Sequence, residues 1–327
     1  MKWLVRIALG LLVVLVAAFL IFRTPDTDAD AMRAKYGGEP SQFVELPSGQ
    51  TVHLRDEGPR DARAIILLHG SSADLHTWSP WVAGLKADYR VVRIDHIGHG
   101  LTGPSITDEY ALVDFVATVD GVADHLKLDE FVIGGNSMGG WISVGYAMKH
   151  ADRVEGLVLV DASGAPIKRE SGGGNLGFTI ASIPVVNQIM TQITPRSLVE
   201  RSLRDSVSNT DIVTKDAVDR YWELLRYPGN RAATIERFGT PRVEYSKEDI
   251  AKLGKPTLIL WGEEDQLTPL KAGKWYHQHL PSSQFIAYAG IGHLPHEEAP
   301  EQSLADLREW LETVPNPNRQ QTEDTEQ

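Results

Sequence analysis

Short, largely apolar runs recur along this 327-residue chain and alternate with longer stretches of helical spacing. The runs are Ala64–Leu68, Tyr89–Ile94, Phe131–Gly134, Leu157–Val160, Thr257–Trp261 and Gln284–Tyr288. A strand that is apolar at every position is buried on both faces, and such strands alternating with helices predict a mainly parallel sheet covered on both sides. Upstream, Ser41 to Leu46 and Gln50 to Arg55 flank Pro47-Ser48-Gly49, which reads as an antiparallel hairpin. The fold class is therefore α/β.

One interval breaks the alternation. About 95 residues separate Asp161 from the strand at Thr257, where a crossover needs roughly a dozen. This predicts a helical lid, about residues 164–252, inserted into one domain, 41–314. It begins at Gly172-Gly173-Gly174. Leu176, Phe178, Ile180, Ile183, Val186, Ile189, Met190 and Ile193 form one apolar stretch, and Val218, Tyr221, Trp222 and Leu225 a second. Most of these side chains are expected to pack the lid onto itself and the core, leaving the remainder to line a hydrophobic pocket.

The N-terminus follows a different pattern. Trp3 to Phe22 is interrupted only by Arg6, and a helix of that length spans about 30 Å, one bilayer core. No small-residue cleavage site directly follows Phe19-Leu20-Ile21-Phe22, so residues 1–23 read as an uncleaved anchor, with a removed signal peptide as the alternative. Lys2 and Arg6 precede the span while Asp26, Asp28 and Asp30 follow it. This asymmetry places the domain on the non-cytoplasmic side, the periplasm in a bacterium; a cleaved signal would give a secreted protein. Residues 24–40 read as a polar linker and 315–327 as a disordered tail.

The formal charge of −12 disfavours nucleic acid as a partner, because phosphate contacts need clustered Lys and Arg. The chain has no cysteine, so neither disulfides nor thiolate chemistry contributes. No internal repeat is visible.

Gly135-Asn136-Ser137-Met138-Gly139 places a serine between glycines, after an apolar run and before helical spacing from Trp141 to Met148. A sharp strand-to-helix turn of this kind holds a serine hydroxyl proud of the backbone, and glycines allow the close approach that a Cβ would block. Carboxylates follow the strand at Thr257, in Gly262-Glu263-Glu264-Asp265, and a histidine follows the next, in Gly290-Ile291-Gly292-His293. His69-Gly70-Ser71-Ser72 follows the strand at Ala64.

On these residues, with Asp95 to Gly100, the sequence resembles the α/β-hydrolase superfamily over about Phe43 to Leu311. The resemblance implies a Ser137, His293, Asp265 triad, with Met138 and Ser71 supplying backbone N–H groups to an oxyanion. Asp161 also follows a strand and is a rival for the acid. His296 lies three residues from His293, and a zinc reading of these with Glu297 or Glu298 is an alternative, but metal binding needs more convergent ligands than the sequence offers; no metal or cofactor is expected. His96 and His99 resemble a structural loop beside the site, and His69 is expected to shape the oxyanion loop.

Relatives resembling epoxide hydrolases and haloalkane dehalogenases use an aspartate where this chain has Ser137. The main expectation is hydrolysis of a carboxylic ester of a hydrophobic small molecule by a carboxylesterase-like enzyme. An alternative is carbon–carbon bond hydrolysis of ring-fission diketones, although many such enzymes carry Trp after the catalytic His, where this chain has Leu294. A catalytically silent, membrane-tethered binding module is the rival of another class. Acyl preference and oligomeric state are not legible.

Overall fold

The computed structural model describes residues 2–167, 183, 188–189 and 191–315. Eight strands form one sheet: β1 (Ser41–Glu45), β2 (Thr51–Glu57), β3 (Ala64–Leu68), β4 (Arg90–Ile94), β5 (Phe131–Asn136), β6 (Val154–Val160), β7 (Thr257–Gly262) and β8 (Ser283–Tyr288). Their order is β1-β2-β4-β3-β5-β6-β7-β8. The hairpin pairs antiparallel, as do β2 and β4, and every pairing from β4 to β8 is parallel. Each apolar run read from the sequence is one of these strands, extended in several cases by one to three residues.

The runs are largely apolar because both faces are covered. Helices Leu112–His125, Met138–Lys149 and Leu270–His279 bury one face, with Phe115, Val119, Ile142 and Tyr276 among the side chains inserted. Helices Ser79–Leu85 and Pro300–Thr313 bury the other through Trp81, Leu307 and Trp310. Burial at this scale is the main driving force of the fold, with each fully buried large apolar side chain worth about 1.5–3 kcal/mol.

Between β6 and β7 the predicted lid supplies helices Arg196–Arg204, Lys215–Leu225, Asn230–Gly239 and Lys247–Lys252. Val218 and Tyr221 of the second apolar stretch are buried as expected. In the first stretch Ile183 and Ile189 are exposed, so they do not serve as lid core. Leu176, Phe178, Ile180, Val186, Met190 and the three glycines lie outside the described residues, as does the tail beyond Pro315.

The helix Lys2–Phe22 has a mean hydropathy of 2.9 and none of its apolar span is buried within the protein. The segment that follows it differs from the linker expected there. Asp28 caps a helix, Ala29–Tyr36, by accepting from the Ala31 N–H. That helix packs Met32 against Leu101, Leu224 and Tyr227. Glu223 takes hydrogen bonds from Lys35 and Tyr36, each at 2.6 Å. The Thr27 N–H donates to the Arg226 carbonyl at 2.8 Å. Polar composition suggested slack, but Thr24, Asp26, Thr27, Lys35 and Tyr36 all bond lid residues, so this segment forms a docked strap.

Candidate active site

β5 runs into the helix Met138–Lys149 through Ser137, whose backbone adopts φ 53° and ψ −112°. Non-glycine residues are rarely held there except where surrounding structure enforces it. The enforcement comes from close packing: a Cβ on Gly139 would sit 2.0 Å from the Leu68 carbonyl oxygen, and one on Gly135 would sit 2.3 Å from the Gly139 carbonyl carbon. The elbow therefore requires glycine at both positions.

Asp265 and His293 lie in the loops after β7 and β8, and the His293 Nδ1 and Asp265 Oδ2 are 2.7 Å apart. Asp265 also accepts from Thr268 Oγ1 at 2.5 Å and from the Leu267 N–H at 2.6 Å. Burial pushes this carboxyl up, yet the imidazole and these donors outweigh burial and hold it below its ordinary value. Ser137 and His293 line the same cavity, with Gly70, Ser71, Asn136, Leu267 and Leu294 around them. The N–H groups of Met138, at the helix start, and of Ser71 make no hydrogen bond among the described residues. Both are therefore unoccupied donors beside the serine.

The neighbouring histidines are structural. His69 is fully buried; its Nδ1 donates to the Gly70 carbonyl at 2.7 Å and its Nε2 accepts from the His96 N–H at 3.1 Å. It thus shapes the loop that carries Ser71. Asp95 organises the next loop by accepting from Leu75 and Leu101 N–H, both at 2.8 Å, and from His53 at 2.7 Å. His296 stacks on Trp78 with centroids 4.2 Å apart and bonds Thr77, so it is not poised as a ligand. Glu297 bonds Thr77. Among the described residues the one cluster with metal-ligand spacing is Asp161, Asp265 and His293, the acid and base themselves.

Two contributors have no sequence signature. Asn136 Nδ2 donates to the His293 carbonyl at 3.0 Å and to Val160 at 3.2 Å, tying the base loop to the elbow. Glu298 accepts from the N–H groups of Gly292, Leu294, Ser208 and Asn209, fastening the same loop to the lid. The strongest cue available for Glu298 was its position five residues after His293.

The cavity encloses about 1060 Å³ including its mouth. Its far wall is lid: Leu198, Val199, Leu203, Tyr221, Ile235 and Phe238. Arg231, also in that wall, donates through Nη2 to Asp26 at 2.6 Å and through Nη1 to the Thr24 carbonyl at 2.8 Å. The Thr24 hydroxyl accepts from the N–H of Thr194, another wall residue, at 2.7 Å. The end of the membrane-type helix is thus two residues from a bond to the pocket wall.

A family model described as alpha/beta hydrolase fold matches residues 63–300. A Pseudomonas putida protein named 2-hydroxy-6-oxo-2,4-heptadienoate hydrolase is 29% identical over 258 residues, covering 76% of this chain and 88% of the relative. Among solved structures, a meta-cleavage product hydrolase from Pseudomonas fluorescens superposes with a TM-score of 0.73 at 23% identity, covering 83% of this chain and 97% of the other. A bacterial membrane phospholipase A superposes with a TM-score of 0.68 at 22% identity, covering 96% of this chain and 99% of the other. With the matched region spanning most of the sheet and both ends of the lid, the chain belongs to the alpha/beta hydrolase family.

Proposed function

We propose that the protein is a membrane-anchored serine hydrolase that cleaves the carboxylic ester of a hydrophobic molecule through an acyl-enzyme. In this reading Ser137 attacks the ester carbonyl while His293 takes its proton and returns it to the leaving alcohol. Asp265 keeps the imidazole in the tautomer that presents Nε2 to the serine and stabilises its charged form. The Met138 and Ser71 N–H groups receive the developing oxyanion. Water, activated by His293, then releases the acid.

The relatives' names side with the other expectation. Several are hydrolases of 2-hydroxy-6-oxo acids, including the Pseudomonas putida protein and a 2-hydroxymuconate semialdehyde hydrolase, which supports carbon–carbon cleavage more than ester cleavage. That is the second reading. The observation that carries the ester reading is the state of Arg231. A 2-hydroxy-6-oxo acid bears a carboxylate, which a pocket would meet with a free cation. Arg231 is the single Arg or Lys lining the cavity among the described residues, and Asp26 already neutralises it. Leu294 follows His293 where many carbon–carbon hydrolases carry Trp.

The anchor supports a substrate drawn from a lipid phase. The likeness to the membrane phospholipase A is one of fold, but it covers a share of this chain that residues from Ser41 onward are too short to supply. It therefore takes in part of the N-terminal segment. We place the domain on the non-cytoplasmic side, with the lid wall near the bilayer surface.

The full-length protein, offered p-nitrophenyl esters of graded chain length, a vesicle-dispersed acyl lipid and a ring-fission dienoate, is expected to turn over the esters best. Turnover of the dienoate with none of the esters would establish the second reading.

A further inference from the structure

Behind the proposed triad lies a second carboxylate. Asp161 directly follows β6 and is fully buried, and its backbone is held at φ 45°, a conformation that costs a non-glycine residue energy. One oxygen of Asp161, one of Asp265 and one ring nitrogen of His293 all lie within 4.8 Å of one another. Asp265 is supplied with donors on both oxygens. Asp161 receives only the Gly262 N–H, at 3.0 Å on Oδ1, and its Oδ2 is buried without a donor.

Two carboxylates this close in a dry interior do not both ionise, and a buried oxygen without a donor is costly unless it carries a proton aimed at an acceptor. The groups around Asp161 decide which one keeps the proton. Asp265 and Glu298 are acidic, Tyr288 brings no positive charge, and His293 is already bonded to Asp265. Burial first and then the Asp265 charge push Asp161 well above the ordinary carboxylate range.

We propose that Asp161 is a positioning residue of the triad: its Oδ2–H donates to the Asp265 carboxylate and steadies it for His293, and where Asp265 is absent Asp161 supplies the carboxylate instead. This rests on the serine-hydrolase reading. In the intact protein the proton stays on Asp161 throughout turnover. Without Asp265 that proton is lost to solvent and the freed carboxylate faces the imidazole.

Asn at position 161 would keep both the acceptor for Gly262 and a donor to Asp265, but it cannot become a carboxylate. The test is the rate at which a fluorophosphonate labels Ser137 across pH, because this reads activation of the serine whatever the natural substrate. On the full chain, Asp161→Asn is expected to label within about twofold of the parent and Asp161→Ala about tenfold slower. Asp265→Ala is expected to gain reactivity as pH rises and to exceed Asp265→Ala/Asp161→Asn by about tenfold. Equal rates for those last two variants at every pH overturn the proposal, as does an Asp161→Asn as slow as Asp161→Ala. If Asp161→Ala fails to fold, the comparison of the other two still decides, since Asn preserves the Gly262 bond. A parent that does not label at all overturns the triad reading itself, and this proposal with it.

Discussion

Asn136 and His293 are 157 residues apart in sequence, yet the Asn136 amide donates to the His293 carbonyl at 3.0 Å. The residue before the proposed nucleophile thus holds the residue proposed as its base, and both groups move as one unit. Misplacing a catalytic group by about 1 Å can cost about a hundredfold in rate. Asn136→Ala is therefore expected to lower kcat by about ten- to a hundredfold with a native circular dichroism spectrum. An unchanged kcat would show that Glu298 and the His293 N–H bond to the Ser206 carbonyl hold the base loop without Asn136.

Replacing Ser137 by Ala removes the attacking oxygen and leaves the donors in place. Turnover should fall by at least about ten-thousandfold, with residual activity from the oxyanion donors. Steady-state hydrolysis of the best ester, followed alongside the thermal midpoint, checks this.

The Asp26–Arg231 pair links the strap to the pocket wall, with Asp26 about half exposed. Asp26→Asn should cost about 1 kcal/mol of stability, since solvent screens the exposed partner. It should also leave the Arg231 charge without a countercharge at the cavity wall while the Thr24 and Thr194 bonds hold its place, raising KM for neutral esters more than it lowers kcat. The same variant should bind anionic substrates better, and KM values for a paired neutral and acidic ester measure both effects.

Burial keeps His96, His99 and His296 neutral in the fold, with His296 lowered to about 3. Each titrates near pH 6.5 when unfolded. The unfolded chain therefore binds more protons than the native one, and stability declines as pH falls from about 6.5 towards the folded values. Asp161 acts with the opposite sign: its raised value means the native state binds the extra proton, so stability falls as pH rises from about 4 to that value. Asp161→Asn should then be more heat-stable than the parent at pH 7 and lose that advantage near pH 4, measured by calorimetry.

An uncleaved anchor predicts that the mature protein begins at or next to Met1 and stays with membranes after alkaline carbonate washing. Mass measurement of the N-terminus decides it, and a start near residue 32 would indicate a cleaved leader.

What the sequence made legible follows from what was local. β3, Leu157–Val160 of β6 and Leu258–Trp261 of β7 were readable because these stretches are apolar throughout, a pattern that double-sided burial imposes residue by residue. Ser137 was readable because the elbow needs its glycines within two positions. Asp265 and His293 were found by position after strands. The bracing roles of Asn136 and Glu298 are not legible because their partners are backbone groups of distant loops, and side-chain-to-backbone bonds leave no periodicity behind. The strap was misread because Asp and Thr suit a solvated linker as well as a docked one. Only the tertiary positions of Glu223, Arg226 and Arg231 separate the two, although Asp28 ahead of Met32 and Tyr36 was a local hint of a capped amphipathic turn.

The docked strap also governs how the enzyme can be handled. A chain shortened to begin at Ser41 would lose the side chain that covers Leu101, Leu224 and Tyr227, baring an oily patch on the lid. It would strip Arg231 of its carboxylate partner Asp26 and of the Thr24 carbonyl, leaving the Thr194 hydroxyl to hold a charged group in the cavity wall. Such a soluble form would clump readily and report a substrate preference foreign to the native protein, so specificity should be surveyed in detergent micelles or nanodiscs with the first forty residues retained.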